Sequence, residues 1–322
     1  MLKRLSIPLF SLGLCACFVP ASAQAEGPTV TMKTAFSTSW FEETDGYRML
    51  LAALSKPDPN VPGVSLSRAE LDAALAKVKI GPSELKWISR YSSPVSRKKQ
   101  RQRVRSVRDI LLSKKRLAKG RNFARTHAAL LAKVSEQYSV DTEDLLAMLN
   151  AESNFGSVQG SFTVVDVFVS QIAFMEAGEK AAFDAGDYLK DGAMSRKKNG
   201  PRIQRRRRFA VKNMSALLRY AKKFNQDPRT FKGSWAGAIG LTQFMPASLR
   251  WAKDGDGDNK VDLSTIPDAV ASTANYLVEH GYVRGDRKAR RGAFRAYNPN
   301  SEYVSAIDDY ARRFKKRRKR AK

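Results

Sequence analysis

Glu152 stands in the stretch "LLAMLNAESNFG" (145–156), just after Leu145, Leu146, Met148 and Leu149, which recur at helical spacing. That spacing predicts a helix with one buried face. Glu152 lies three residues after Leu149 and seven after Leu145, on the same face. A carboxylate at the edge of an apolar stripe is poorly solvated, so its pKa rises and it can deliver a proton near neutral pH. The plainer alternative is a helix-end glutamate paired with one of the many arginines.

Two further stretches carry candidate chemistry. In "GSWAGAIGLTQFMP" (233–246), Gly233, Gly237 and Gly240 leave bare backbone beside Trp235 and Phe244. That suits a groove where a sugar ring stacks and amide groups bond its hydroxyls, with Gln243 adding a side-chain amide. A helix packed tightly on its glycines is the other reading. In "DGDGDNKVDLSTIPD" (254–268), Asp254, Asp256 and Asp258 alternate as at the start of an EF-hand loop, with the Lys260 carbonyl as fourth ligand. Asn259 stands at position six and Thr265 at position twelve, so a strict EF-hand is excluded and an acidic turn without metal stays open.

Other chemistries lack their residues. His127 and His280 are the only histidines, and Cys15 and Cys17 the only cysteines. Zinc sites and cysteine nucleophiles are therefore excluded from the mature chain, and a Ser-His-Asp triad is disfavoured. No phosphate loop or dinucleotide glycine pattern is present. Acid–base work falls to carboxylates, and no catalytic cofactor is implied.

Lys3 and Arg4, an apolar run, and small residues at Ala21, Ala23 and Ala25 read as a secretory signal peptide over residues 1–25. A lipid anchor at Cys17 is the less favoured alternative, and the expected location is the periplasm or cell envelope. Cleavage removes both cysteines with Lys3 and Arg4, so the formal charge of +27 becomes +25. So basic a chain is drawn to anionic polymers or membrane surfaces. Export argues against nucleic acid as the partner.

The elements that must hold these residues read as mainly α. Residues 26–37 form a loose leader. Helices are predicted over 39–54, over 67–80 with Ser67 as N-cap, over 122–138, and over 139–153 with Asp141 as cap. Residues 176–208 are strongly basic and read as an exposed insertion. Helices follow at 215–224 and 268–282, the latter stopping at Gly281, and a frayed basic tail occupies 313–322.

Taken in order, "ESNFG", "GSWAGAIGLTQFMP", "DAVASTANYL" and "RAYN" resemble the membrane-bound lytic murein transglycosylase B family. The resemblance covers about residues 40–312 and includes "LDAALAKVKI" upstream. It implies a lysozyme-like core, over about 120–175 and 230–312, within a 38–312 transglycosylase domain. The implied activity is cleavage of the MurNAc–GlcNAc β-1,4 bond of peptidoglycan glycan strands with formation of 1,6-anhydro-MurNAc, by a monomer. Glu152 matches the single acid/base. Ser234, Gln243, Tyr276, Tyr297, Asn298 and Tyr303 match substrate-binding positions. The family's longer metal loop is closed by a later aspartate, where Asp268 stands, which implies a structural Ca²⁺ on Asp254, Asp256, Asp258, Lys260 and Asp268. The basic segment 176–208 departs from the family pattern. Two alternatives remain: a muramidase that hydrolyses, needing a second carboxylate, and a non-catalytic basic wall-binding protein.

Overall fold

The computed structural model describes residues 37–58, 61–81, 88, 107–184 and 196–320. The expected signal peptide, nearly all of the leader, residues 82–87 and 89–106, residues 185–195 and the last two tail residues lie outside the described residues.

Among the described residues the fold is mainly α, with one two-stranded antiparallel pair, β1 (Phe162–Thr163) against β2 (Lys232–Gly233). The N-terminal stretch forms two helices where one was expected, α1 (Thr38–Glu42) and α2 (Asp45–Leu54), because the Thr44 side chain accepts the Tyr47 N–H and starts the second. α3 (Arg68–Ala76) opens on the expected Ser67 as a full capping box: Glu70 accepts the Ser67 N–H at 2.7 Å. α4 (Val107–Leu111) leads into α5 (Lys114–Thr126) and α6 (Ala128–Gln137). The single helix expected over 122–138 is thus broken at His127, whose backbone leaves helical geometry while its ring packs 4.5 Å from Phe123.

α7 (Thr142–Ser153) carries Glu152. Asp141 is its N-cap residue but makes no side-chain cap; it pairs instead with Arg284 and Lys315. α8 (Val164–Asp184) and α9 (Arg196–Lys223) follow, so the described parts of 176–208 correct the expectation of an exposed insertion. Residues 176–184 continue α8 and residues 196–208 open α9. Asn199, Ile203, Arg206 and Arg207 are buried there, and Arg207 pairs with Glu176 at 2.9 Å. α10 (Ile266–Glu279), α11 (Arg287–Tyr297) and α12 (Ser301–Arg320) complete the fold. The tail expected to fray from residue 313 continues α12 to Arg320.

Among the described residues, two large apolar clusters make up most of the interior, beside a small third one of Met175 and Ile203. One gathers α7 with α4, α5, α6, α10, α11 and α12 through Leu145, Met148, Ala274, Phe294 and Ile307. The other joins α2, α3, α8, α9 and the glycine-rich segment through Leu50, Leu71, Phe168, Met214, Ile239 and Phe244. Tyr297 packs against both, so the seam between them runs past the C-terminal end of α11.

α7 is buried all round from Glu143 to Ser153, where the sequence pattern gave it one buried face. A helix so enclosed must satisfy each polar group it carries. Asp144, fully buried, accepts from Arg290 at 2.6 and 2.7 Å and from the Tyr282 hydroxyl at 2.6 Å, and Arg290 also reaches Asp308 at 3.4 Å. The Asn150 amide donates to the Leu111 carbonyl at 3.3 Å, while Arg116 donates to the Asn150 carbonyl at 2.7 Å. Removing one partner of a buried pair strands the other charge, at about 3–5 kcal/mol. Asp144→Ala should therefore lower the unfolding free energy by about that amount in chemical denaturation. A loss below about 1 kcal/mol, the scale of an exposed pair, would contradict this reading.

Candidate active site

Glu152 lies in the last turn of α7. The helix ends on Asn154 in the left-handed region (φ +52°), with the Phe155 N–H returning to the Leu149 carbonyl at 3.0 Å. The Ser153 hydroxyl accepts the Gly156 N–H at 3.0 Å and fixes the turn that follows. These bonds stop the helix just after Glu152 and hold its side chain inward. Glu152 is 4% exposed, deeper than the edge position its spacing suggested.

The Tyr303 hydroxyl on α12 donates to Glu152 Oε1 at 2.6 Å and lies 3.6 Å from Met148 Sδ. Burial pushes the Glu152 carboxyl up to about 8, opposed by the Tyr303 hydrogen bond, which favours the charged form. A carboxylic acid so placed is protonated at neutral pH and can donate. Met148, one turn before Glu152, is a neighbour the sequence could have yielded from its i,i+4 spacing.

The glycine-rich segment is not helical. Ser234 N–H donates to the Ala238 carbonyl and Gly237 N–H to the Ser234 carbonyl, each at 2.8 Å, and Ile239 and Phe244 exchange backbone bonds. Its glycines do not leave bare backbone in a groove, as the sequence suggested: they are buried, and they permit close crossings. A Cβ on Gly237 (φ +88°) would fall 2.3 Å from the Phe168 ring, and one on Gly240 (φ +63°) 2.3 Å from the Leu263 carbonyl oxygen. Trp235 is half-buried and Phe244 is buried.

The other expected site residues join elements. Ser234 Oγ accepts the Ala238 N–H at 3.2 Å. Gln243, itself at φ +51°, donates from Nε2 to the Gly240 carbonyl at 2.8 Å and to the Gln159 carbonyl at 3.0 Å, linking this segment to the loop after Glu152. The Tyr276 hydroxyl donates to the Ala296 carbonyl at 3.0 Å and the Tyr297 hydroxyl to the Thr242 carbonyl. The rings of Phe244, Tyr276 and Tyr297 meet at 4.7–5.8 Å. Burial, and more weakly the Glu152 charge, raise the Tyr276 hydroxyl's pKa. Asn298 ends α11, and its Oδ1 accepts the Asn300 N–H at 3.1 Å. Of the two histidines, His127 packs on Phe123 and His280 stacks on Tyr276 at 3.9 Å.

At the acidic loop, carboxylate oxygens of Asp254, Asp256 and Asp268 lie within 4.8 Å of one another. Asp254 accepts the Gly257 and Asn259 N–H groups at 2.6 and 2.8 Å, and Asp268 those of Gly255 and Asp262 at 2.8 and 2.6 Å. Asp258 stands outside this trio and accepts the Lys260 N–H at 2.8 Å. Burial pushes the Asp268 carboxyl up, with a further rise from Asp256 and Asp254, while backbone donors hold Asp254 down. Three carboxylate oxygens this close are donors of the kind a hard divalent cation takes.

Residues 53–316 match the family model described as the transglycosylase SLT domain. Over 153 residues the chain is 30% identical to membrane-bound lytic murein transglycosylase B of Escherichia coli, covering 47% of this chain and only 35% of that protein's length. Among solved structures it resembles the E. coli lytic transglycosylase Slt35 in complex with calcium, at 19% identity and a TM-score of 0.60 over 84% of this chain and 93% of that one. It also resembles SltB3 from Pseudomonas aeruginosa in complex with NAG-anhNAM-pentapeptide, at 22% identity and a TM-score of 0.60 over 86% and 79%. These likenesses give the mainly helical, lysozyme-like architecture a fold-level counterpart. No described helix is long and apolar enough to cross a membrane. On a family match that takes in most of its length, the chain belongs to the transglycosylase SLT domain family.

Proposed function

We propose that the protein is a lytic transglycosylase that cleaves the MurNAc–GlcNAc β-1,4 bond of peptidoglycan and leaves a 1,6-anhydro-MurNAc end. The observation that carries this reading is the carboxyl of Glu152, buried at the end of α7 and held by Tyr303. In the proposed reaction Glu152 gives its proton to the glycosidic oxygen as the C1–O bond breaks, the bonding pair leaving with oxygen. The carboxylate then takes the proton of the same sugar's C6 hydroxyl as that oxygen closes on C1. The nucleophile is intramolecular, so one well-placed acid–base group suffices. Hydrolysis calls for a pair of carboxylates. Burial raises the Glu152 carboxyl while the Tyr303 hydrogen bond opposes the rise, so one group can first give the proton and then take it back, which is what cyclisation asks of it.

Ser234, Gln243, Tyr276, Tyr297, Asn298 and Tyr303 are the residues we assign to the glycan groove, Tyr303 also holding the acid in place. The acidic loop would hold Ca²⁺ on Asp254, Asp256 and Asp268, completed by Asp258 and the Lys260 carbonyl. Its contribution would be structural, joining the loop to the first turn of α10. We read the chain as an exported monomer whose exposed arginines, Arg205 and Arg208 among them, and basic tail add attraction to anionic wall polymers or membrane surfaces.

Three outcomes follow. Glu152→Gln should remain folded and lose activity on purified peptidoglycan by about 10⁴-fold, the upper end of general acid–base catalysis. Mass spectrometry of the wild-type products should show anhydro ends; reducing ends, or release by the variant at the wild-type rate, would refute the assignment. Tyr303→Phe removes a donor that favours the charged carboxyl, so the alkaline limb of the pH–rate profile, near pH 8 in the wild type, should move upward; a downward move would contradict that role. Millimolar calcium should raise the melting temperature over that in excess chelator, by mass action on the folded state, and identical melting curves would exclude the metal site.

A further inference from the structure

Lys119 on α5 meets the Ser157 hydroxyl through its ammonium group. Ser157 is exposed on loop 154–160, which leaves directly from the end of α7 and whose Gln159 carbonyl is bound by Gln243. Lys119 therefore borders the segment that connects the acid to the glycine-rich loop. Two cations of the same helix act on it: burial depresses the Lys119 pKa most, followed by the charges of Arg116 and Lys115. Arg116 is engaged, donating to the carbonyl and side-chain oxygen of Asn150. Lys115 and Lys119 pair with no carboxylate among the described residues, whereas Lys315 and Arg284 share Asp141.

Partly desolvating an ammonium beside two like charges is unfavourable, and a bound anion would relieve it. An ammonium is a point charge on a flexible stem, suited to a carboxylate whose orientation varies. Resting on the function proposed above, we propose that Lys119, with Lys115 and Ser157, forms a subsite for a free carboxylate of the peptide carried by the glycan. The catalytic loop then lies between the acid that cuts the sugar chain and the cation that reads its peptide branch.

The test uses the full chain and two probes, a disaccharide-pentapeptide fragment and its carboxyl-amidated form. Both are titrated by calorimetry into Glu152→Gln, with Lys119 intact or replaced by Met. With Lys119 intact, the acid form should bind about fivefold tighter at low salt, the scale of one partly solvated charge pair, and the preference should fade at high salt. Lys119→Met should abolish the preference and Lys119→Arg should keep most of it. In turnover, Lys119→Met should lower kcat/KM for peptide-bearing strands relative to peptide-stripped strands about fivefold, through KM. Equal affinity for acid and amide with Lys119 intact would overturn the subsite, and that comparison stands even if Lys119→Met fails to fold. An equal loss on both kinds of strand would assign Lys119 a purely structural role. If the wild type cleaves neither strand, the proposed activity fails, and the calorimetry still decides the subsite.

Discussion

The hydrogen bond from Tyr303 to Glu152 constrains the rest of the structure, because it sets a carboxyl group inside an apolar enclosure and aims a hydroxyl donor at it. Burial alone would push the carboxyl toward permanent neutrality, and a strong cation beside it would fix it as a carboxylate. A tyrosine hydroxyl does neither: it opposes the desolvation without abolishing it, leaving the acid near 8. For a group proposed to give a proton and take one back, a value close to the working pH favours both steps.

Holding that bond requires α7 and α12 to keep their separation to within a few tenths of an ångström. The means lie away from the acid. Asp144 on α7 is tied to Arg290 on α11, Arg290 to Asp308 on α12, and Asp308 to Arg291. The charges run in alternation across the three helices around Glu152, while Tyr297 ties the end of α11 to the glycine-rich segment through the Thr242 carbonyl. On the far side, Arg219 of α9 donates to the carbonyls of Ala53 and Leu54 in the last turn of α2 and of Lys56 just after it, so a buried cation docks the N-terminal helices onto the second cluster. Charge thus positions helices here.

The sequence made Glu152 visible because its register against Leu145 and Leu149 is local information. The capping box at Ser67 was legible for the same reason. The break at His127 was not, since alanines and leucines continue beyond it and only packing of the ring on Phe123 marks the turn. The arginines of 202–208 read as solvated, yet Arg207 pairs with Glu176 across α8 and α9, a contact 31 residues away in the chain. Gly237 and Gly240 were recognisable as special positions, but the reason was not: they serve backbone crossings against Phe168 and Leu263, partners that only the fold supplies. The resemblance placed Tyr303 at the site, while its bond to Glu152 depends on α12 returning beside α7, 151 residues later.

The central claim is that Glu152 is a neutral acid at working pH, and its titration tests this most directly. With carboxyl carbons labelled with ¹³C and Glu152→Gln used to assign the resonance, the Glu152 signal should titrate in the folded protein near pH 8, well above ordinary glutamates. A midpoint between about 4 and 5, the range of a solvated glutamate, would mean that the enclosure does not hold the proton and that Glu152 is not the acid.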